Sequence, residues 1–253
     1  MNKKRILLKI GTNTLTKETD QISRGKIEDI ARQIAALKDE YEFIIVSSGA
    51  IAAARQFVKL EHNGAEINVK QALAAIGQPH LMRIFQENFR ELGLLTSQCL
   101  LSYSDFEKEA SRINICNTIN VLVSNNFIPI INENDTVATD EIQFGDNDKL
   151  AALTAALVKV DLLIIATNTD GIYTKESIEK DSPETINTVT NLGELQREVS
   201  SIKSSKGTGG MQSKIEAATI ANAAHIETWI VNGLKDNFIV NALNDKINFT
   251  KIK

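Results

Sequence analysis

Four clusters of residues have the types and spacing of a site that handles an anion. The first is Lys9 with Gly11 and Thr12, which closes the apolar run Ile6-Leu7-Leu8. An ammonium at the end of a buried strand is costly unless it is paired. It either snorkels at an edge or reaches a phosphate, with Gly11 letting that ligand approach the backbone. The second is Ser47-Ser48-Gly49-Ala50, between an apolar run and a helical stretch. Backbone N–H groups at a helix start favour anions, and a plain serine N-cap is the simpler alternative. The G-x-S-x-G spacing of a hydrolase elbow is missing.

The third cluster is the densest: Asn132-Glu133-Asn134-Asp135, followed by Gly145-Asp146-Asn147-Asp148-Lys149. Amides and carboxylates together suit an α-ammonium group and can orient a small substrate. Turn and N-cap chemistry would use the same residue types. EF-hand spacing is absent. The fourth is Lys206-Gly207-Thr208-Gly209-Gly210-Met211-Gln212-Ser213-Lys214. Glycines ahead of a helix can present backbone donors to a phosphate. Lys214 lies about one helical turn beyond Gly210, close enough to reach the same anion. Neither the Walker A nor the Rossmann spacing fits, so a flexible turn stays open as a reading. His62, His80 and His225 form no H-E-x-x-H pair, which argues against zinc hydrolysis and offers no histidine base. Cys99 and Cys116 lack a CxxC spacing and read as reduced core residues.

These clusters need elements to hold them. Apolar runs predict strands over 5–10, 43–46, 95–101, 127–131, 162–166 and 228–231. Helical spacing predicts helices over 23–40, 50–60, 69–92, 112–125, 150–160 and 211–224, with Gly77 and Pro79 expected to break or kink the third. Strands apolar throughout, alternating with helices, imply a mostly parallel sheet covered on both faces. Ligands bind such sheets beyond the carboxyl ends of the strands, where the first three clusters fall. The polar stretch 174–208 reads as a mobile excursion or lid. The 253 residues carry 28 basic and 32 acidic side chains, a net charge of −4, which argues against a general nucleic-acid or anionic-membrane surface. No apolar run is long enough for a signal peptide or a membrane helix, so a cytoplasmic location is expected.

Six segments resemble, in order, those of the amino acid kinase family. They are Leu8 to Asn13, Val46 to Ala53, Lys70 to Gln78, Pro129 to Asp135, Gly145 to Asp148, and Gly207 to Met211. The resemblance implies an α/β fold, a three-layer αβα sandwich with a mostly parallel central sheet, expected as a single domain over 1–253. It implies transfer of the ATP γ-phosphoryl group to the side-chain carboxylate of L-glutamate, the first step of proline biosynthesis. By resemblance, Lys9 and Lys214 stabilise the phosphoryl group and Asp148 organises them. Ser48, Asp135 and Asn147 would bind glutamate, with Asn132 and Asp146 nearby. Lys9, Gly11, Thr167, Asn168, Thr208, Gly209, Gly210, Met211, Gln212, Ser213 and Lys214 would contact the nucleotide. Mg²⁺ would arrive on the nucleotide, its protein ligands unassigned. Proline as feedback inhibitor and a homo-oligomer (dimer or tetramer) also belong to the resemblance.

Three features depart from it. Many bacterial relatives carry a C-terminal PUA domain, and none is expected within these 253 residues. Thr167-Asn168 stands where the family has Thr-Asp, and the tail 236–253 matches poorly. The competing readings are a relative acting on N-acetylglutamate or aspartate, and a non-catalytic glutamate or proline sensor.

Overall fold

The computed structural model describes residues 3–60, 66–138, 147–174, 176–177, 180, 182–201 and 209–253. Side chains alternate across each central strand, and that alternation fixes the layers. In β1 (Lys4–Ile10), Ile6, Leu8 and Ile10 enter one core while Leu7 enters the other. β2 (Tyr41–Ser47) sends Phe43 and Ile45 one way, Ile44 and Val46 the other. β4 (Phe127–Glu133) and β5 (Leu162–Thr167) repeat the pattern. Residues buried on both faces explain why these strands read as unbroken apolar runs.

Among the described residues the sheet has eight strands in the order β3-β4-β2-β1-β5-β7-β8-β6. β3 (Leu95–Leu101) is the edge beside β4, and β7 (Glu227–Asn232) follows β5. The pairings are parallel except β7 with β8 (Thr250–Ile252). β8 pairs in turn with β6 (Thr188–Val189). The mostly parallel α/β sandwich expected from the sequence is the observed fold.

One face is covered by α2 (Arg24–Leu37), by α4 (Ile67–Arg90) and by α9 (Phe238–Leu243). Short helices α1 (Thr12–Thr16) and α3 (Ala50–Arg55) cap the strand ends on that side. The other face is covered by α5 (Glu109–Ser124), α6 (Asp148–Val158) and α8 (Gly209–Ala223). Gly49 turns the chain from β2 into α3 at φ 107°, a conformation that side chains with a Cβ resist. Gly77 lets α4 lie against α3, since a Cβ there would meet the Ala50 carbonyl oxygen.

Two expectations are corrected. The helix across Gly77 and Pro79 runs unbroken. Pro79 removes only the bond to the Ala75 carbonyl, and both residues lie on the exposed side, where water takes its place. The stretch 174–208 is not, in its described part, a loose excursion. It contains β6 and α7 (Leu192–Ser201), and Val189 and Leu195 pack with Ile172, Ile215, Ile230 and Ile252. The tail, for which the sequence offered no placement, is tied to α2. Gln33 Oε1 accepts from Ile239 and Val240 N–H at 2.7 and 3.3 Å, and the buried Lys26 Nζ donates to the Lys235 carbonyl at 2.7 Å.

Candidate functional site

The alternation that builds the sheet also aims Lys9. It follows Leu8 and precedes Ile10, both in the α2/α4 core, so its side chain leaves the opposite face, toward α6 and α8. There it meets Asp148, the first residue of α6. Lys9 Nζ stands 2.5 Å from Asp148 Oδ1, and Lys214 Nζ, from the first turns of α8, stands 3.0 Å from Asp148 Oδ2. Asp148 is 0% exposed, Lys9 2% and Lys214 8%. One buried carboxylate thus holds two buried ammonium groups, one on each oxygen. Burial alone would push the Asp148 carboxyl up, but the charges and hydrogen bonds of Lys9 and Lys214 outweigh it and hold it at about 2. The start of a helix also suits a carboxylate there.

α8 contributes more than its lysine. Lys214 Nζ also donates to the Gly210 carbonyl at 2.8 Å. Ser213 Oγ donates to Asp148 Oδ2 at 3.0 Å, so Ser213, expected to contact a nucleotide, also helps orient the carboxylate. Gln212 turns along the helix to Glu216, and Met211 packs on the apolar cluster beneath. Gly209 opens the helix. Gly11 ends β1 beside this group, where an added Cβ would come 3.3 Å from Lys9 Nζ.

Next to the charges lies a neutral half. Asn147, the residue before α6, donates from Nδ2 to Asn132 Oδ1 (2.7 Å), to Ser48 Oγ (3.3 Å) and to the Ser47 carbonyl (3.3 Å). The structure therefore brings Ser48, Asn132 and Asn147 together from three parts of the chain. Asn147 Oδ1 is buried with no partner. Asp135 follows β4, is 8% exposed, and is pushed up to about 6 by burial. Gln71 Nε2 donates to its main-chain carbonyl at 2.8 Å.

Thr167 and Asn168 end β5. Thr167 is buried, and its carbonyl accepts from Gly233 N–H at 2.7 Å. Asn168 is exposed and donates to Glu18 Oε1 at 2.9 Å. Asp146 and Thr208 lie outside the described residues. Cys99 and Cys116 are free and half-buried, and burial pushes the Cys99 thiol up.

Sequence reading gave no role to Glu18 or Gln78. Gln78 carried one available signal, a polar residue at a helix position between buried Gly77 and Leu81. Among the described residues no trio of His, Cys, Asp or Glu is grouped to hold a metal ion, and no helix is long and apolar enough to cross a membrane.

The arrangement can neutralise an anion delivered to the two lysines beside a pocket of amides and a buried carboxyl. The family model for the amino acid kinase family matches residues 4–232. The glutamate 5-kinase of Alkaliphilus metalliredigens (strain QYMF) is 40% identical over 243 residues, covering 95% of this chain and 92% of that protein. The glutamate 5-kinase of Thermoanaerobacter sp. (strain X514) is 41% identical over 249 residues, covering 97% of this chain and 67% of the relative. Among solved structures, carbamate kinase from Giardia lamblia bound to AMP-PNP superposes with a TM-score of 0.70 at 16% identity, covering 99% of this chain and 98% of that one. UMP kinase from Ureaplasma parvum gives 0.66 at 20% identity, each chain covered in full. At such identities the two structures speak for the fold alone.

Proposed function

The chain belongs to the amino acid kinase family, and we infer that it transfers the γ-phosphoryl group of ATP to the side-chain carboxylate of L-glutamate, giving L-glutamyl 5-phosphate for proline biosynthesis. The observation that carries the chemistry is the pair of buried ammonium groups on opposite oxygens of Asp148. Phosphoryl transfer asks mainly for positioning and for charge neutralisation around the moving group. Lys9 and Lys214 supply that charge from a site that excludes water, where it counts for more. Asp148 and Ser213 keep the two ammonium groups in place before the nucleotide arrives.

The acceptor needs no general base. A glutamate side chain with a pKa of about 4.3 is already ionised at neutral pH. Ser48 and Asn147 hold the acceptor, with Asn132 behind them. Asp135 meets the α-ammonium group, whose positive charge offsets the burial that keeps this carboxyl near pKa 6 in the free protein. Gly11, Thr167, Asn168 and residues 208–214 face the nucleotide. Mg²⁺ fits as a companion of the phosphates rather than of a protein cage, since Asp148 is taken up by its lysines and Mg²⁺ commonly keeps phosphate and water ligands. It draws negative charge from the phosphate oxygens when bound. Feedback inhibition by proline and assembly as a dimer or tetramer complete this reading and rest on the family resemblance, while a cytoplasmic location rests on the lengths of the apolar runs.

The test is consumption of ATP with Mg²⁺ and L-glutamate, trapping the acyl phosphate with hydroxylamine. N-acetylglutamate, aspartate and a blank run in parallel. Hydroxamate with glutamate alone is the expected result. Hydroxamate with N-acetylglutamate but not glutamate would reassign the substrate.

A further inference from the structure

Four side-chain amides form a line from the start of α6 to the edge strand β3. Asn147 Nδ2 donates to Asn132 Oδ1 at 2.7 Å, Asn132 Nδ2 donates to Gln78 Oε1 at 2.9 Å, and Gln78 Nε2 donates to Gln98 Oε1 at 3.3 Å. An amide can be turned end for end within the same shape, so the direction of such a line needs a cause. Two backbone groups that cannot turn provide it. Glu133 N–H donates to Asn132 Oδ1 at 2.9 Å, and the Ser47 carbonyl accepts from Asn147 Nδ2 at 3.3 Å. Reversing the line would set N–H against N–H at the first and oxygen against oxygen at the second. With the direction fixed, Asn147 Oδ1 is the end left over. It is buried and has no partner, which marks it as an acceptor awaiting a donor.

We propose that Gln78 is a positioning residue for the substrate: by accepting from Asn132 Nδ2 it holds Asn132 in place against Asn147, within a line whose direction the two backbone groups set, so that Asn147 presents an oxygen, not an N–H, to the α-ammonium group. The inference rests on the reading of glutamate as the acceptor. Gln78 touches no substrate itself. Its place on α4, nine-tenths buried, lets it act only through Asn132. Without it, Asn132 Nδ2 loses its acceptor in a buried setting, and the Asn132 amide is held only through its oxygen, by Glu133 N–H and Asn147 Nδ2. An Asn132 that shifts to give Nδ2 another acceptor draws Oδ1 away from Asn147 Nδ2 and loosens that amide as well. The acceptor facing the ammonium group would be lost. Gln98, at the exposed end on β3, is solvated and does not set the direction.

The experiment compares steady-state kinetics of the wild type, Gln78→Met and Gln78→Glu on L-glutamate and on glutarate, which keeps the carboxylates and lacks the ammonium group. Gln78→Met should raise the glutamate KM about tenfold, with kcat and the ATP KM within about twofold. It should also lower the kcat/KM preference for glutamate over glutarate about tenfold, because the lost interaction is specific to the ammonium group. Gln78→Glu keeps an acceptor facing Asn132 and should hold both values within about threefold of the wild type. A residue that only fills space predicts the opposite order, with methionine tolerated and a buried carboxyl not. Thermal unfolding checks that the variants fold; if Gln78→Met does not, Gln78→Ala carries the same expectation. Wild-type KM and preference in the apolar variant, or equal loss of both substrates, would overturn the proposal. A wild type that phosphorylates no glutamate would instead remove the reading beneath it.

Discussion

Asp135→Asn should make the ligand-free protein more stable while weakening its hold on glutamate. Burial raises the Asp135 carboxyl from its ordinary 3.8 to about 6. At about 1.4 kcal/mol per pH unit, that gap is a cost of about 3 kcal/mol for keeping the group ionised at pH 7.5. The sign follows from which state holds the proton more tightly. The folded carboxyl does, so the cost is absent below about pH 3.8, grows as pH rises through the interval to about 6, and is complete above it. At pH 4.5 only about 1 kcal/mol remains by the same relation.

Asparagine carries no charge to bury, so the variant should gain up to about 3 kcal/mol at pH 7.5 and about a third of that at pH 4.5. For a chain of this size each kcal/mol moves the midpoint by about 2–4 °C. Thermal unfolding without ligands, at both pH values, reads the gain. The same substitution removes a charge-assisted bond to the ammonium group, so the glutamate KM should rise about 10–100-fold with the ATP KM little affected. A stability gain equal at the two pH values would refute burial as the cause. An unchanged glutamate KM would take Asp135 out of the acceptor site.

Lys214→Ala should lower kcat by about a hundredfold or more while the fold persists, because Lys9 and Ser213 still satisfy Asp148; turnover near wild type would remove its role. Asp148→Asn leaves two buried ammonium groups without their counter-charge and should cost about 3–5 kcal/mol in denaturant unfolding, besides activity. The folded Asp148 carboxyl is depressed to about 2, so the stability it confers is present above its unfolded value of about 3.9 and is lost only as pH falls through about 2. An acid titration should therefore show no unfolding step above about pH 4 that Asp148→Asn abolishes. Gly77→Ala forces a Cβ against the Ala50 carbonyl and should destabilise by about 1–3 kcal/mol. It should also raise the glutamate KM, since α3 cannot shift without moving Ser48, two residues before it. An undisturbed melting curve would show that the helices give way freely.

The strands near the middle of the sheet were legible because burial on both faces leaves an unmistakable apolar run. β6 and β8 were not, because two and three residues are too few to show any period. α1 hid for a different reason. Its threonines are weak helix formers, and burial of Thr14, Leu15 and Thr16 rather than propensity holds it. In the site, the cost of burying Lys9 announced a partner, and Asp148 is that partner. What the sequence could not display is the amide line. Its central bond joins residues 54 positions apart, and its direction depends in part on the Ser47 carbonyl, which meets Asn147 only in space. Ser213 shows the same limit, since its bond to Asp148 spans 65 positions.

The position of β8 bears on how the molecule is made. β8 lies between β7 and β6, and β6 joins the sheet only through it. A chain synthesised from its amino end has β1, β2, α4, β4 and Asn147 in hand well before residue 250 exists. The half that grips the acceptor can thus assemble while the half that carries Lys214 still lacks its closing strand. A nascent chain halted between residues 195 and 214 would present Lys9 and Asp148 without their third member, with Val189 and Leu195 short of their partner Ile252. That interval is when the unfinished apolar surface is open to chaperones, and when slow translation of the final segment would prolong the exposure.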